Sequence, residues 1–126
     1  MADITPSVPA GRQVIQGYGE GGFRIAGTSY TGSVLVLRET TVAWPVSEIE
    51  AITPENLSAV FSAVPGVDIL LIGCGNRAVP LAAALRDVLR ENGIGSEVMD
   101  TGAACRTFNV LLAEDRAVAA ALIAVP

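Results

Sequence analysis

The sequence predicts a single α/β domain in which an N-terminal β-meander is followed by a β-α-β-α-β unit. The chain has 126 residues, which is a usual size for one domain. Its first half holds short apolar runs separated by glycine-rich turns, as is typical of a meander. Its second half alternates short apolar runs with stretches of helical periodicity. This order predicts a mainly parallel core sheet with right-handed crossovers.

Four short apolar runs predict the strands of the first half. Residues 1–12 are expected to form a flexible tail, and residues 13–126 are expected to form the single domain. The strands are expected at residues 14–17, 23–26, 33–37 and 41–46. The last of them should end near Pro45, because proline cannot donate a hydrogen bond within a central ladder.

The second half is predicted to open with a helix. Thr53-Pro54-Glu55 supplies an N-cap threonine, a proline at the first helical position and an acid in the first turn. The helix is expected to end at Pro65-Gly66. Its apolar face is expected to consist of Leu57, Val60, Phe61 and Val64.

Three further strands and two further helices are predicted to alternate. The strands are expected at residues 68–72, 97–99 and 117–125. One helix is expected from Pro80 to Gly93, with inward residues Leu81, Ala84, Leu85, Val88 and Leu89. The other is expected from Gly102 to Asp115, with inward residues Ala104, Phe108, Leu111 and Leu112. Because a single helix separates 68–72 from 97–99, these two strands should be adjacent and parallel.

Composition argues against several classes of partner. The net charge is −5, and binding to nucleic acid requires clustered cations that neutralise phosphates. The chain contains no uninterrupted apolar run of the roughly 20 residues that a spanning helix needs. Its first residues lack the basic flank and apolar segment of a secretory signal. We therefore expect a cytoplasmic protein that neither binds nucleic acid nor inserts into a membrane.

The sequence contains no histidine and no lysine, since all eight cationic residues are arginine. Without histidine, Ser-His-Asp and Cys-His catalysis are excluded. Without lysine, Schiff-base chemistry and a P-loop phosphate clamp are excluded. The two cysteines cannot supply a structural zinc site or a disulfide framework. No catalytic residue, metal or cofactor is expected.

The run Gly17-Tyr18-Gly19-Glu20-Gly21-Gly22 matches the pattern G-x-G-x-x-G. A dinucleotide-binding motif of this kind opens a helix, whereas the residues that follow here predict a strand. The run is therefore interpreted as turn-forming, and it is expected to bind no nucleotide.

Two predicted strand-to-helix loops, at residues 73–77 and 100–106, form the candidate site. Both follow parallel strands, so they should lie at one edge of the sheet, where ligands of open α/β sheets bind. Free backbone N–H groups and arginines there could hold an anion. The candidate ligand-binding residues are Gly73, Cys74, Gly75, Arg77, Asp100, Thr101, Cys105 and Arg106.

A purely structural interpretation of these loops stays open. Asp100 or Thr101 could be an N-cap, and Arg106 could pair with Asp100. The helix N-terminus favours a thiolate at Cys105, but its place on the apolar stripe of Phe108 favours burial. Cys74 and Cys105 could both be small buried apolar residues.

Several motifs in the same order resemble those of the Mth-type domain family of unknown function, which includes a mitochondrial assembly factor of NADH dehydrogenase (complex I). They lie at residues 16–19, 22–25, 30–33, 71–75 and 99–109. The resemblance covers the chain from about residue 13 to its end. It implies a three-layer α/β fold with a mixed central sheet, no established enzymatic activity, and a role in assembling membrane-bound complexes. No family catalytic residue is carried over. The arginine-only, alanine-rich composition is typical of a bacterium with a G+C-rich genome.

The sequence thus supports two functional hypotheses. The first is a non-enzymatic adaptor or assembly factor for protein complexes, such as membrane-bound respiratory complexes, that acts through contacts with a protein partner. The alternative is a small-molecule or anion-binding protein, or a weak thiol-dependent enzyme, with its site near Cys74 and Cys105 at the carboxyl ends of the strands.

Overall fold

The computed structural model describes residues 11–126, so residues 1–10 of the predicted tail lie outside the described residues. Within this range the chain forms eight strands, three α-helices and two short 3₁₀ turns. The strands are β1 (Ile15–Gly19), β2 (Gly22–Ile25), β3 (Thr28–Thr31), β4 (Val34–Val36), β5 (Thr41–Ala43), β6 (Ile69–Gly73), β7 (Gly95–Met99) and β8 (Val118–Leu122). The helices are α1 (Ser58–Phe61), α2 (Ala83–Glu91) and α3 (Thr101–Ala113).

Strands β1, β2 and β3 form a small antiparallel sheet in sequential order. The turn between β1 and β2 holds Glu20 and Gly21, both with positive φ, so the glycine-rich run forms a hairpin, as expected. Strand β3 was not expected from the sequence. Its four residues are polar or half-buried, and the alternation that marks a strand is therefore missing.

The central sheet has five strands in the order β5-β4-β8-β6-β7. Strand β6 is parallel to both β7 and β8, so the predicted adjacent parallel pair is confirmed. Strand β4 is antiparallel to β8 and to β5. The sheet is therefore mixed, as the family resemblance implies, and the β4–β5 hairpin belongs to it rather than to the small sheet.

The central sheet is the middle of three layers and carries an apolar core on each face. Residues alternate along its strands, so that Leu70 and Ile72 of β6 face α1 and α2 while Leu71 faces α3 and the small sheet. The alanines of β8 divide between the two cores in the same way. Both faces of the central strands are thus buried, which explains their continuous apolar runs.

The predicted first helix is shorter than expected. A 3₁₀ turn (Glu55–Leu57) leads into the four residues of α1. The start signal is correct, because the Thr53 hydroxyl accepts from Asn56 N (3.1 Å) and the Asn56 side chain accepts from Thr53 N (3.0 Å). Leu57 and Val60 are buried, but the placement of Val64 on the inner face is wrong, since this residue is 95% exposed beyond the helix end.

The other two predicted helices form with shifted starts. Helix α2 begins at Ala83 rather than Pro80, because Ala82 is still extended (ψ 135°). Leu81 is buried from the preceding loop, whereas Ala84 is exposed and its predicted inward position is wrong. Helix α3 begins at Thr101, one residue earlier than expected.

Candidate functional site

The two predicted loops lie side by side at the carboxyl ends of β6 and β7, and this region is here called the carboxyl edge. Cys74 N donates to Met99 O (2.8 Å), and Thr101 N donates to Gly75 O (2.9 Å). Gly73 is packed tightly here, because a methyl group added to it would lie 3.0 Å from the Thr101 Cα. The expected juxtaposition of residues 73–77 and 100–106 is therefore present.

Thr101 fastens the carboxyl edge from within. Its side chain is fully buried. Its hydroxyl donates to Ile123 O (2.7 Å) and accepts from Gly75 N (3.0 Å). Both bonds cross between separate chain segments, so the hydroxyl joins the loop after β6 to the segment after β8 and is unavailable to a ligand.

Asp100 is the N-cap of α3. Its carboxylate accepts from Ala103 N (2.9 Å), and an acid at this position is stabilised by the free N–H groups and the helix dipole. Within residues 11–126 it makes no ion pair with Arg106, so the pairing considered from the sequence is not formed. The Asp100 carboxylate therefore serves to cap the N-terminus of α3.

The two cysteines lie on opposite faces of the central sheet, and both are free thiols. Cys74 is half-buried against the α1–α2 core, whereas Cys105 belongs to the α3 core. Loss of solvation on burial raises the pKa of Cys105 to about 12, and the nearby Arg106 offsets this only in part. The thiol therefore stays protonated at neutral pH, and the helix N-terminus does not produce a reactive thiolate there.

Tyr18 of β1 also lies at the carboxyl edge, although the sequence analysis did not include it. A methyl group placed on Gly102 would be 2.4 Å from the Tyr18 hydroxyl oxygen and 3.3 Å from Nη1 of Arg106. Tyr18, Gly102 and Arg106 are therefore in close proximity. The glycine in the first turn of α3 was the one signal in the sequence that something packs closely there.

The charged and aromatic side chains that remain exposed at the carboxyl edge are Tyr18, Arg77 and Arg106. Across the described part of the chain, neither arginine forms an ion pair. Since Asp100, Thr101 and Cys105 are engaged or protonated, the accessible chemistry is hydrogen-bond donation and aromatic contact. Such groups suit binding to a carboxylate or to another protein better than proton transfer.

No α-helix between residues 11 and 126 has the length and apolarity to cross a bilayer. Over the same range, no group of three or more Cys, Asp or Glu side chains is placed to hold a metal ion.

Residues 15–123 match the profile of a family described as a protein of unknown function (DUF498/DUF598). Among curated proteins, the chain is similar to the mouse (Mus musculus) NADH dehydrogenase [ubiquinone] 1 alpha subcomplex assembly factor 3. The two are 38% identical over 112 residues, covering 89% of this chain and 60% of the mouse protein. The chain thus spans less than two thirds of that relative's length.

Solved structures share the fold. A crystal structure described as an outer membrane protein from Bartonella henselae has 44% sequence identity and a TM-score of 0.85, covering 95% of this chain and all of that one. An Mth938-like domain from Bordetella pertussis, solved by NMR, has a TM-score of 0.81 at 23% identity, covering 97% and 92% of the two chains. The three-layer arrangement is therefore the arrangement of the Mth-type fold.

Proposed function

The chain belongs to the family described as a protein of unknown function (DUF498/DUF598), and from this membership we propose that it is a non-enzymatic assembly factor that acts through protein contacts. Curated relatives from mouse and human carry the name of an assembly factor. The identity to the mouse protein extends over most of this chain, so the shared domain is the part that would carry a common role.

The observation that carries the proposal is the state of the carboxyl edge. Thr101 and Asp100 bond to the protein itself. The charged and aromatic side chains that are exposed there are Tyr18, Arg77 and Arg106. Tyrosine and arginine are enriched among the residues that contribute most to protein interfaces. An edge whose inner polar groups are bonded and whose outer arginines form no ion pair within residues 11–126 suits docking of a protein partner.

We propose further that the partner is a subunit or assembly intermediate of a membrane-bound NADH dehydrogenase. The name of the mouse relative, an assembly factor of NADH dehydrogenase, supports this choice of complex. The guanidinium groups of Arg77 and Arg106 would face carboxylates of the partner, because guanidinium binds carboxylate through paired hydrogen bonds.

Deletion of the gene in its host cell, followed by native gel electrophoresis of the membranes, tests this function. We expect the assembled NADH dehydrogenase to decrease and subcomplexes to accumulate, and we expect the wild-type gene to restore assembly. A deletion strain that assembles the complex at the normal rate and yield would contradict the proposed function.

Two matched double variants test whether the carboxyl edge is the contact surface. Arg77→Ala/Arg106→Ala should fail to restore assembly while the protein accumulates normally. Arg86→Ala/Arg90→Ala removes two exposed arginines of α2 instead and should restore it. If both variants restored assembly equally, the carboxyl edge would not be the contact surface.

A further inference from the structure

A cavity lies at the edge of the central sheet opposite to the carboxyl edge, where β6 and β8 begin. It is here called the amino-edge pocket. Its volume is about 360 Å³, which is in the range of small-molecule sites. Leu37, Ala63, Val67 and Val118 contribute apolar walls, and Arg12 and Arg38 contribute charge. An apolar cavity with a few converging polar groups is the usual form of a ligand site.

The two arginines are more buried than the acid that pairs with them. The side chains of Arg12 and Arg38 are 15% and 21% exposed, whereas that of Asp115 is 73% exposed. Both guanidinium groups donate through Nη2 to the same oxygen, Asp115 Oδ1, which lies 3.1 Å from Arg12. Two guanidinium groups therefore share a single carboxylate oxygen.

Arg38 also has a hydrogen-bond donor that the described residues do not use. Its Nε is buried and has no partner within residues 11–126. An unpartnered buried donor is unfavourable, more so on a charged group. The Nε and one Nη of a guanidinium form the edge that binds the two oxygens of a carboxylate. The Nε of Arg38 is thus a donor that the described residues leave unused.

We propose that the amino-edge pocket binds a small organic monocarboxylate. Its carboxylate accepts from the guanidinium groups of Arg38 and Arg12, and its apolar part packs against Leu37, Ala63 and Val67. The carboxylates of Asp115 and Glu39 offset the two guanidinium charges, so a singly charged ligand is favoured over a multiply charged one. Glu39 at the rim is exposed and pairs with neither arginine, and its negative charge opposes a phosphate more strongly than a monocarboxylate.

This site is separate from the surface that the proposed function uses. The amino-edge pocket lies where β6 begins and the carboxyl edge where it ends, so variants can address each one alone. Failure of carboxylate binding would leave the assembly role intact, and the reverse also holds.

Titration of the full-length, ¹⁵N-labelled protein with hexanoate, followed by amide NMR, tests the proposal. We expect saturable shifts at residues 37–40 and 63–67, with a dissociation constant in the millimolar range, as suits so small a ligand. Hexan-1-ol supplies the chain without the charge, and inorganic phosphate supplies charge without the chain. Both should bind at least about tenfold more weakly.

Variants locate the binding. Arg38→Gln and Arg12→Gln should each weaken hexanoate binding at least about tenfold, and Ala63→Leu should weaken it by filling the cavity while leaving both charges in place. Arg86→Gln, on the exposed face of α2, should leave it unchanged. Amide spectra show whether each variant folds. If an arginine variant does not fold, Ala63→Leu still tests the site.

Three outcomes would overturn the proposal. The first is the absence of saturable hexanoate shifts at these amides. The second is equal binding of hexanoate to wild type and to a folded Arg38→Gln or Ala63→Leu protein. The third is saturable binding of acetyl-alanyl-leucine, whose free carboxylate represents a protein C-terminus, with hexanoate inactive. That result would assign the pocket to a protein terminus rather than a small acid.

Discussion

Thr101 at the carboxyl edge and Arg38 at the amino-edge pocket are both polar side chains placed at ends of the same sheet, yet their hydrogen bonding differs. The Thr101 hydroxyl both donates and accepts within the protein, whereas Arg38 Nε has no partner in the described range. The Asp100 carboxylate is likewise satisfied by a backbone N–H. Clustering of polar side chains therefore does not by itself make a ligand site. A ligand site needs donors or acceptors that the fold leaves without a partner.

The largest change in stability is expected on substitution of Thr101. Thr101→Val keeps the side-chain shape but leaves the part-buried Gly75 N and the buried Ile123 O without a partner. Two such groups should lower the free energy of unfolding by about 3 kcal/mol, and the melting temperature by roughly 10 °C. Calorimetry or thermal circular dichroism measures this change.

Thr101→Ser is the matched control, because it retains the hydroxyl and removes only a methyl group. It should lose less than half as much stability as Thr101→Val. If Thr101→Val melts like the wild type, the hydroxyl does not fasten the carboxyl edge, and the contrast with Arg38 disappears.

The thiol of Cys105 gives the next effect, as a dependence on pH. The folded protein keeps this proton up to about pH 12, whereas the unfolded chain releases it above about pH 9. Ionisation therefore favours the unfolded chain, and stability falls as the pH rises through this window. At pH 10 the loss due to this thiol should be about 1 kcal/mol relative to pH 8.

Urea unfolding of wild type and Cys105→Ala at pH 8 and pH 10 isolates that contribution. The variant should lose less stability than the wild type between the two pH values. Equal losses would mean that the thiol ionises in the folded protein, and the carboxyl edge would then be open to solvent from the α3 side.

Asp115→Asn tests the role of the acid at the amino-edge pocket. The exposed carboxylate contributes little to stability, so unfolding should change by less than about 1 kcal/mol. Its removal takes away one of the two negative charges near the arginines and leaves Glu39, and hexanoate affinity should rise about threefold at low salt. Titration at two salt concentrations measures the gain, which should shrink as salt screens the charges. A loss of affinity would show that Asp115 orients the arginines instead.

The carboxyl edge could be predicted from sequence because its parts are local. Each loop follows an apolar run and precedes a helix start, and the carboxyl ends of parallel strands meet at one edge. The apolar stripe shared with Phe108 indicated the burial of Cys105, which the structure confirms. What the sequence did not reveal was the packing of Tyr18 on Gly102. This packing depends on the small sheet covering α3, which periodicity does not specify.

The amino-edge pocket could not be found in this way. Arg12, Arg38 and Asp115 are separated by many residues, and each taken alone is an ordinary charged loop residue. They meet because β4 pairs with β8 in the middle of the sheet, and the strand order was not derivable from the sequence pattern. Val64 is exposed because α1 ends at Phe61, a full turn before Pro65. The sequence pattern did not indicate this early end either.

The smallest effect is expected from Arg77→Ala, which compares an unengaged arginine with an engaged one. Arg77 is exposed and forms no ion pair within residues 11–126, so its loss should change unfolding by less than about 0.5 kcal/mol. Arg38→Ala removes a mostly buried stem and an ion pair, and should cost clearly more. Thermal melts of the two variants at one pH and salt concentration measure the difference. If Arg77→Ala lowers the melting temperature as much as Arg38→Ala does, Arg77 is a structural residue. Its contact would then lie within the protein, and Arg77 could not serve as a free donor for a partner. An unchanged melting temperature, together with the loss of assembly expected for Arg77→Ala/Arg106→Ala, would assign these side chains to binding alone.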